Sequence, residues 1–139
     1  MGTGLLFTAI VLAVLFDVTN GFHDSANSVA ALVATRAATP GAALVVASAG
    51  NFVGPLVLGT AVADTVGGVV IVEPSQVVPV IGAALSSGIA WNLVTWRFGL
   101  PSSSSHALIG GLVGAAVAAS GVTGVRWGGF AHGRPTGVM

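Results

Sequence analysis

Residues 4–35 read GLLFTAIVLAVLFDVTNGFHDSANSVAALVAT. An apolar stretch, Gly4–Phe16, runs into Asp17, Asn20, His23, Asp24, Asn27 and Ser28, and a second apolar stretch follows from Val29. A helix needs about 20 apolar residues to cross a bilayer core. This segment is too long for a simple span, and Thr19, Asn20 and Gly21 interrupt its middle, which predicts a broken membrane helix. Asp17, Asn20, Asp24 and Asn27 are spaced by three, four and three residues, so on a helix they share one face. An ionised Asp inside a bilayer costs several kcal/mol, so such a stripe persists only against protein, water or an ion. A lone Asn in this setting is ordinary interhelical glue. Two Asp and two Asn in register, flanked by His23, point instead to a functional site. A break at Asn20 and Gly21 would free backbone carbonyls and amides, groups suited respectively to a cation such as Na⁺ and to an anion.

A second polar element, Leu100–Gly110, reads LPSSSSHALIG. Pro101 ends the preceding helix, and the serines stand where the next one starts and needs a cap. Free amides, a favourable dipole and several hydroxyls make an anion site without Arg or Lys. Protonated phosphate fits such a site, because its own proton can bond to a carboxylate such as Asp24, whereas sulfate would meet that carboxylate as an unpaired repulsive charge. In a soluble protein a serine run reads as a flexible linker, but between apolar membrane segments an irregular lipid-exposed loop is not tolerated. His106 is expected to orient a serine or a carboxylate, or to carry a proton; a purely structural histidine is the alternative.

Composition supports the membrane setting. Only 6% of the 139 residues are charged and 54% are apolar, and the mean hydropathy is +0.97. Ordinary soluble domains carry about 25% charge. The 21 Gly suit close helix approach. Absence of Cys excludes thiolate metal sites, disulfides and Cys nucleophiles. The net charge of zero offers no basic stripe for nucleic acid. No cofactor is expected.

Beyond the first segment, apolar runs at Ala42–Val62, with Asn51, Gly54 and Pro55 near the centre, and at Val77–Phe98 predict two spanning helices. Residues 64–76, with Asp64 and Glu73, read as an extramembrane connection. Ala107–Ala119 is short for a crossing and suits the returning arm of a re-entrant hairpin. Residues 1–120 are therefore expected to form one transmembrane domain and residues 121–139 a loose or interfacial tail. Gly4–Phe16 reads as a retained helix rather than a signal peptide, since no Lys or Arg precedes it. Arg36 and Arg97 follow the first and third spans, which places the N-terminus outside a cytoplasmic (inner) membrane.

Asn20–Val29, NGFHDSANSV, and Gly99–Gly114, GLPSSSSHALIGGLVG, resemble the two signatures of the inorganic phosphate transporter family of symporters. The second departs in having only serines where that family mixes Val, Ser and Thr. With Asn51, Gly54 and Pro55, the resemblance covers residues 5–119. It implies phosphate uptake driven by Na⁺ or H⁺, in an all-α, inverted-repeat membrane fold whose halves each supply a broken helix and a hairpin. It would place Asp24, Asn27, Ser102, Ser103, Ser104 and Ser105 at phosphate, and Asn20, His23, Asp24 and Asn51 near a coupling cation, with Na⁺ at Asn20 and Asp24 and His106 behind them. One repeat is present, so a homodimer of oppositely inserted copies or a complementary half is the expected partner. The alternatives are an inactive fragment, an accessory membrane subunit, or an intramembrane hydrolase using the serine run, His106 and Asp24.

Overall fold

The computed structural model describes residues 2–59 and 67–128. Among these the chain is all-helical: α1 (Thr3–Ala34), α2 (Pro40–Leu58), α3 (Val77–Arg97) and α4 (Ser104–Ser120), followed by a 3₁₀ turn at Val122–Gly124. The first three are long and apolar enough to cross a membrane, whereas α4 is shorter. Asp64 and the end of the expected second span, near Val62, lie outside the described residues.

The expected break in the first helix is absent, because α1 is a continuous α-helix of 32 residues through Asn20 and Gly21. Asn and Gly lower helix propensity by only about 0.5–1 kcal/mol each, too little to open a ladder whose freed groups would have no water to bond. Thr19 donates its hydroxyl to the Phe16 carbonyl at 2.9 Å, so it too is satisfied within the helix. At 1.5 Å per residue α1 is about 48 Å long, more than the roughly 30 Å hydrocarbon core. The backbone carbonyls and amides expected to be free at 20–21 are consequently in the ladder. A true ladder gap occurs instead in α2, where Pro55 sits inside the helix and cannot donate to the carbonyl of Asn51.

α1 and α3 pack in parallel register. A Cβ on Gly82 would touch Leu12 and one on Gly88 would strike Phe16, while His23 bonds Thr95 one to two turns further on. α3 and α4 run antiparallel, with Gly111 against Ala84, Trp91 bonded to Ser102 and Gln76 bonded to Ser120. Gly99, with φ +65°, makes the turn between them, a conformation that costs a residue without Cβ little. Parallel packing of α1 and α3 puts Arg36 and Arg97 toward the same end.

Residues 121–128 are fastened down. Val125 joins Val80 and Ala116 in an apolar cluster, Ile71 N–H donates to the Gly124 carbonyl at 2.8 Å, and Arg126 N–H donates to the Val69 carbonyl at 2.9 Å. Residues 129–139, the rest of the expected tail, lie outside the described residues.

Large apolar side chains cover the outside of the bundle while several polar ones lie inside it. Phe7, Phe52, Leu56 and Val57 are all exposed, and the largest fully buried side chains are Asn92, Thr95 and Ser104. An apolar surface this extensive fits lipid or further membrane helices, not water.

The α3–α4 contact depends on the lack of a side chain at Gly111, where a Cβ would press on Ser87 Oγ and lie 2.9 Å from the Ala84 carbonyl oxygen. Gly111→Ala is expected to destabilise the bundle by about 1–3 kcal/mol through overpacking, read as a lower midpoint of thermal unfolding in detergent. Gly110→Ala, whose Cβ would meet nothing within 4 Å, should not lower that midpoint and is expected to raise it slightly, by a helix-propensity gain of up to about 1 kcal/mol.

Candidate functional site

The polar groups of α1 meet those of α3 and α4 in one chain of hydrogen bonds. Asp24 stands on α1 one turn beyond Asn20, and Ser104 is the first residue of α4. The Ser104 hydroxyl lies 3.2 Å from both Asp24 carboxylate oxygens, its single hydrogen straddling them. His23 Nδ1 lies 3.1 Å from Asp24 Oδ1, and His23 Nε2 lies 3.2 Å from Thr95 Oγ1 on α3. His23, Thr95 and Ser104 are buried, while the Asp24 side chain is 45% exposed and remains open to a ligand.

The four serines take different parts. Ser102 accepts the indole N–H of Trp91 at 2.7 Å, which pins the turn to α3. Ser103 caps α4: its hydroxyl accepts the His106 N–H at 3.4 Å and pairs with His106 Nδ1 at 2.8 Å. Ser104 faces inward to Asp24. Ser105 is exposed and lines a cavity of about 1330 Å³ that Asp17, Asn20, Gly54 and Pro55 also border. The cap satisfies the amide of His106, so the amides of Ser104 and Ser105 are the ones that helix geometry leaves to a ligand.

Other expected site residues are placed differently. Asn27 and Asn51 are exposed, and no hydrogen bond joins either to Asp24 among the described residues. Asn20 lines the cavity with its Oδ1 buried and unpartnered. No group of three or more His, Asp or Glu suited to a metal occurs among the described residues. A hydrolytic triad is not assembled either, since His106 pairs with Ser103 whereas Asp24 pairs with Ser104 and His23.

Residues of α3 were missed. Thr95 holds His23, and Asn92, 1% exposed, carries two unpartnered amide atoms. The register that sets His23 against Thr95 and Phe16 against Gly88 puts Asn92 level with Asn20. The available signal was Asn92 and Thr95 three apart on one face of an apolar span.

A carboxylate, hydroxyls and a helix N-terminus meet in an apolar bundle whose three long helices are able to cross a membrane. Residues 20–136 match the phosphate transporter family, and the chain belongs to that family, one of transporters and not of enzymes. It is 51% identical over 127 residues to a probable low-affinity inorganic phosphate transporter of Rhizobium meliloti (strain 1021), covering 91% of this chain and 38% of the relative. A protein of the same description from Streptomyces halstedii is 51% identical over 128 residues, covering 91% and 59%. The low-affinity inorganic phosphate transporter PitB of Escherichia coli (strain K12) is 41% identical over 119 residues, covering 79% and 23%. The chain thus spans 38% and 59% of the length of the first two relatives. No solved structure matches it.

The separate duties of the serines have measurable consequences. Ser103→Ala should cost about 1 kcal/mol through loss of the cap. Ser104→Ala should cost about 1.5–2 kcal/mol, the lower part of the range for hydrogen bonds to charged groups because Asp24 is half open. Ser105→Ala should stay within about 0.5 kcal/mol of the parent. Thermal unfolding in detergent checks the order, and equal losses at Ser104 and Ser105 would contradict the inward placement of Ser104.

Proposed function

We propose that this chain is a half-unit of a secondary transporter that carries inorganic phosphate across the cytoplasmic membrane by symport with Na⁺ or H⁺. The observation that carries the reading is the pairing of Asp24 with Ser104 at the head of α4. It sets a carboxylate beside free helix amides, one acceptor among several donors. H₂PO₄⁻ or HPO₄²⁻ offers both acceptor oxygens for the amides and hydroxyls and a proton for the carboxylate. Sulfate offers no proton at neutral pH, and its approach leaves Asp24 as an unrelieved like charge. The printed descriptions of the relatives support the same substrate.

Asp24, Ser104, Ser105 and the amides that begin α4 form the proposed phosphate site, with Ser102 and Ser103 holding its backbone and His106 supporting Ser103. The antiparallel α3–α4 pair and the 17-residue length of α4 favour a re-entrant hairpin. The cavity bordered by all four helices is apolar at most of its wall and suits helices of a second repeat, supplied by another copy or a complementary half.

Uptake of labelled phosphate by cells that lack their own phosphate carriers and express the complete gene tests this reading. Asp24→Asn is expected to reduce uptake at least tenfold, with the protein still present in the membrane, whereas His132→Ala should change it little. Arsenate should compete far better than sulfate. Comparable competition by sulfate would remove the protonated-anion argument, and absence of uptake by the parent would favour an accessory role.

A further inference from the structure

Two contacts fix the layers of the α1–α3 seam. Phe16 packs where a Cβ on Gly88 would stand, and His23 Nε2 lies 3.2 Å from Thr95 Oγ1. Both pairs have the same separation in sequence, as parallel helices in register require. Asn20 follows Phe16 by four residues and precedes His23 by three, so all three share one face of α1. Asn92 stands in the same relation to Gly88 and Thr95 on α3. Asn20 and Asn92 therefore form the layer between these contacts and face each other across the seam.

That layer is closed but unsatisfied. Asn92 is 1% exposed, and neither its Oδ1 nor its Nδ2 has a hydrogen-bond partner among the described residues; Asn20 Oδ1 is buried and unpartnered too. Which way the Asn92 amide is turned makes no difference, since both of its atoms lack a partner. Buried polar groups in this state destabilise a fold unless something bonds them. The three atoms are two acceptors and one donor group, and a single water complements that set. Its two hydrogens go to the two carbonyl oxygens and a lone pair takes an Nδ2 hydrogen, about the usual number of bonds for a buried water. A dehydrated Na⁺ would gain the oxygens but face the Nδ2 hydrogens, and the carboxylate of Asp24 is turned to Ser104 and His23.

We propose that Asn20 and Asn92 form a buried binding site for one water molecule, a bridge that fixes the register of α1 on α3. Sliding one helix past the other by a turn would strand both amides against apolar neighbours, as a lone buried Asn enforces register in coiled coils. The register so held is the one that sets His23 against Thr95 and Asp24 against Ser104. The site does not depend on which solute the protein carries.

Two measurements on the purified chain in lipid nanodiscs test it. In ¹⁵N-asparagine-labelled protein, the side-chain amide signals of Asn92, identified by their loss in Asn92→Ser, should show magnetisation transfer to a water of long residence. Transfer only to another asparagine amide, or to nothing, overturns the bridge. Asn20→Leu and Asn92→Leu should each lower the thermal midpoint by about 4 °C or more, because each strands the amide that remains. The double Leu variant should lie closer to the parent than either single variant does, and strictly additive losses overturn the pairing. The difference between the parent and Asn92→Leu should be the same in Na⁺ as in choline. A stabilisation by Na⁺ confined to the parent overturns the assignment of water by showing a cation there. Should a Leu variant fail to fold, the water signal of the parent decides the proposal.

Discussion

The structure depends on one polar clasp in an apolar bundle, the run of hydrogen bonds from Ser104 through Asp24 and His23 to Thr95. Lipid chains are as apolar as Leu, so no hydrophobic drive draws membrane helices together. A carboxylate or imidazole exposed to hydrocarbon is expensive, and that cost is relieved where α1, α3 and α4 meet. This explains why the most buried large side chains are Asn92, Thr95 and Ser104 while Phe52 and Leu56 face outward. Small residues make the meeting possible. Gly88 receives the Phe16 ring, and Gly111 lets α4 approach the Ala84 backbone.

The same clasp turns a low-complexity run into four distinct functions. Successive helical residues point about 100° apart, so neighbouring serines at the start of α4 cannot share a partner. Ser102 secures the turn to Trp91, Ser103 closes the helix end, Ser104 reaches Asp24 and Ser105 faces the cavity. A carboxylate, a hydroxyl and the amides that begin α4 are thereby brought together without Arg or Lys.

The match to the phosphate transporter family spans residues 20–136 and so takes in both Asp24 and the serine run. The broad, mostly apolar cavity bordered by Asp17, Asn20, Gly54 and Pro55 lies on the side where Ser105 emerges.

The sequence by itself determined that the chain is helical and membrane-bound, since apolar run lengths and low charge are properties of composition that no tertiary contact can alter. The start of α4 at the serine run was legible as well, because Pro101 and the serines mark a capped helix beginning. Continuity of α1 was not legible: Asn20 and Gly21 carry a weak local preference against helix, and the backbone's need for partners in a dry environment outweighs it. Nor could spacing within one helix separate Asn20, which turns inward, from Asn27, which stays exposed, because that depends on where α3 lies. The pairing of His23 with Thr95, 72 residues apart, and of Asp24 with Ser104, 80 apart, was decided by tertiary structure alone. Helix register brings such groups together, and it is set by the packing of Phe16 on Gly88 and Ala84 on Gly111, contacts between segments that carry no mark of their partner.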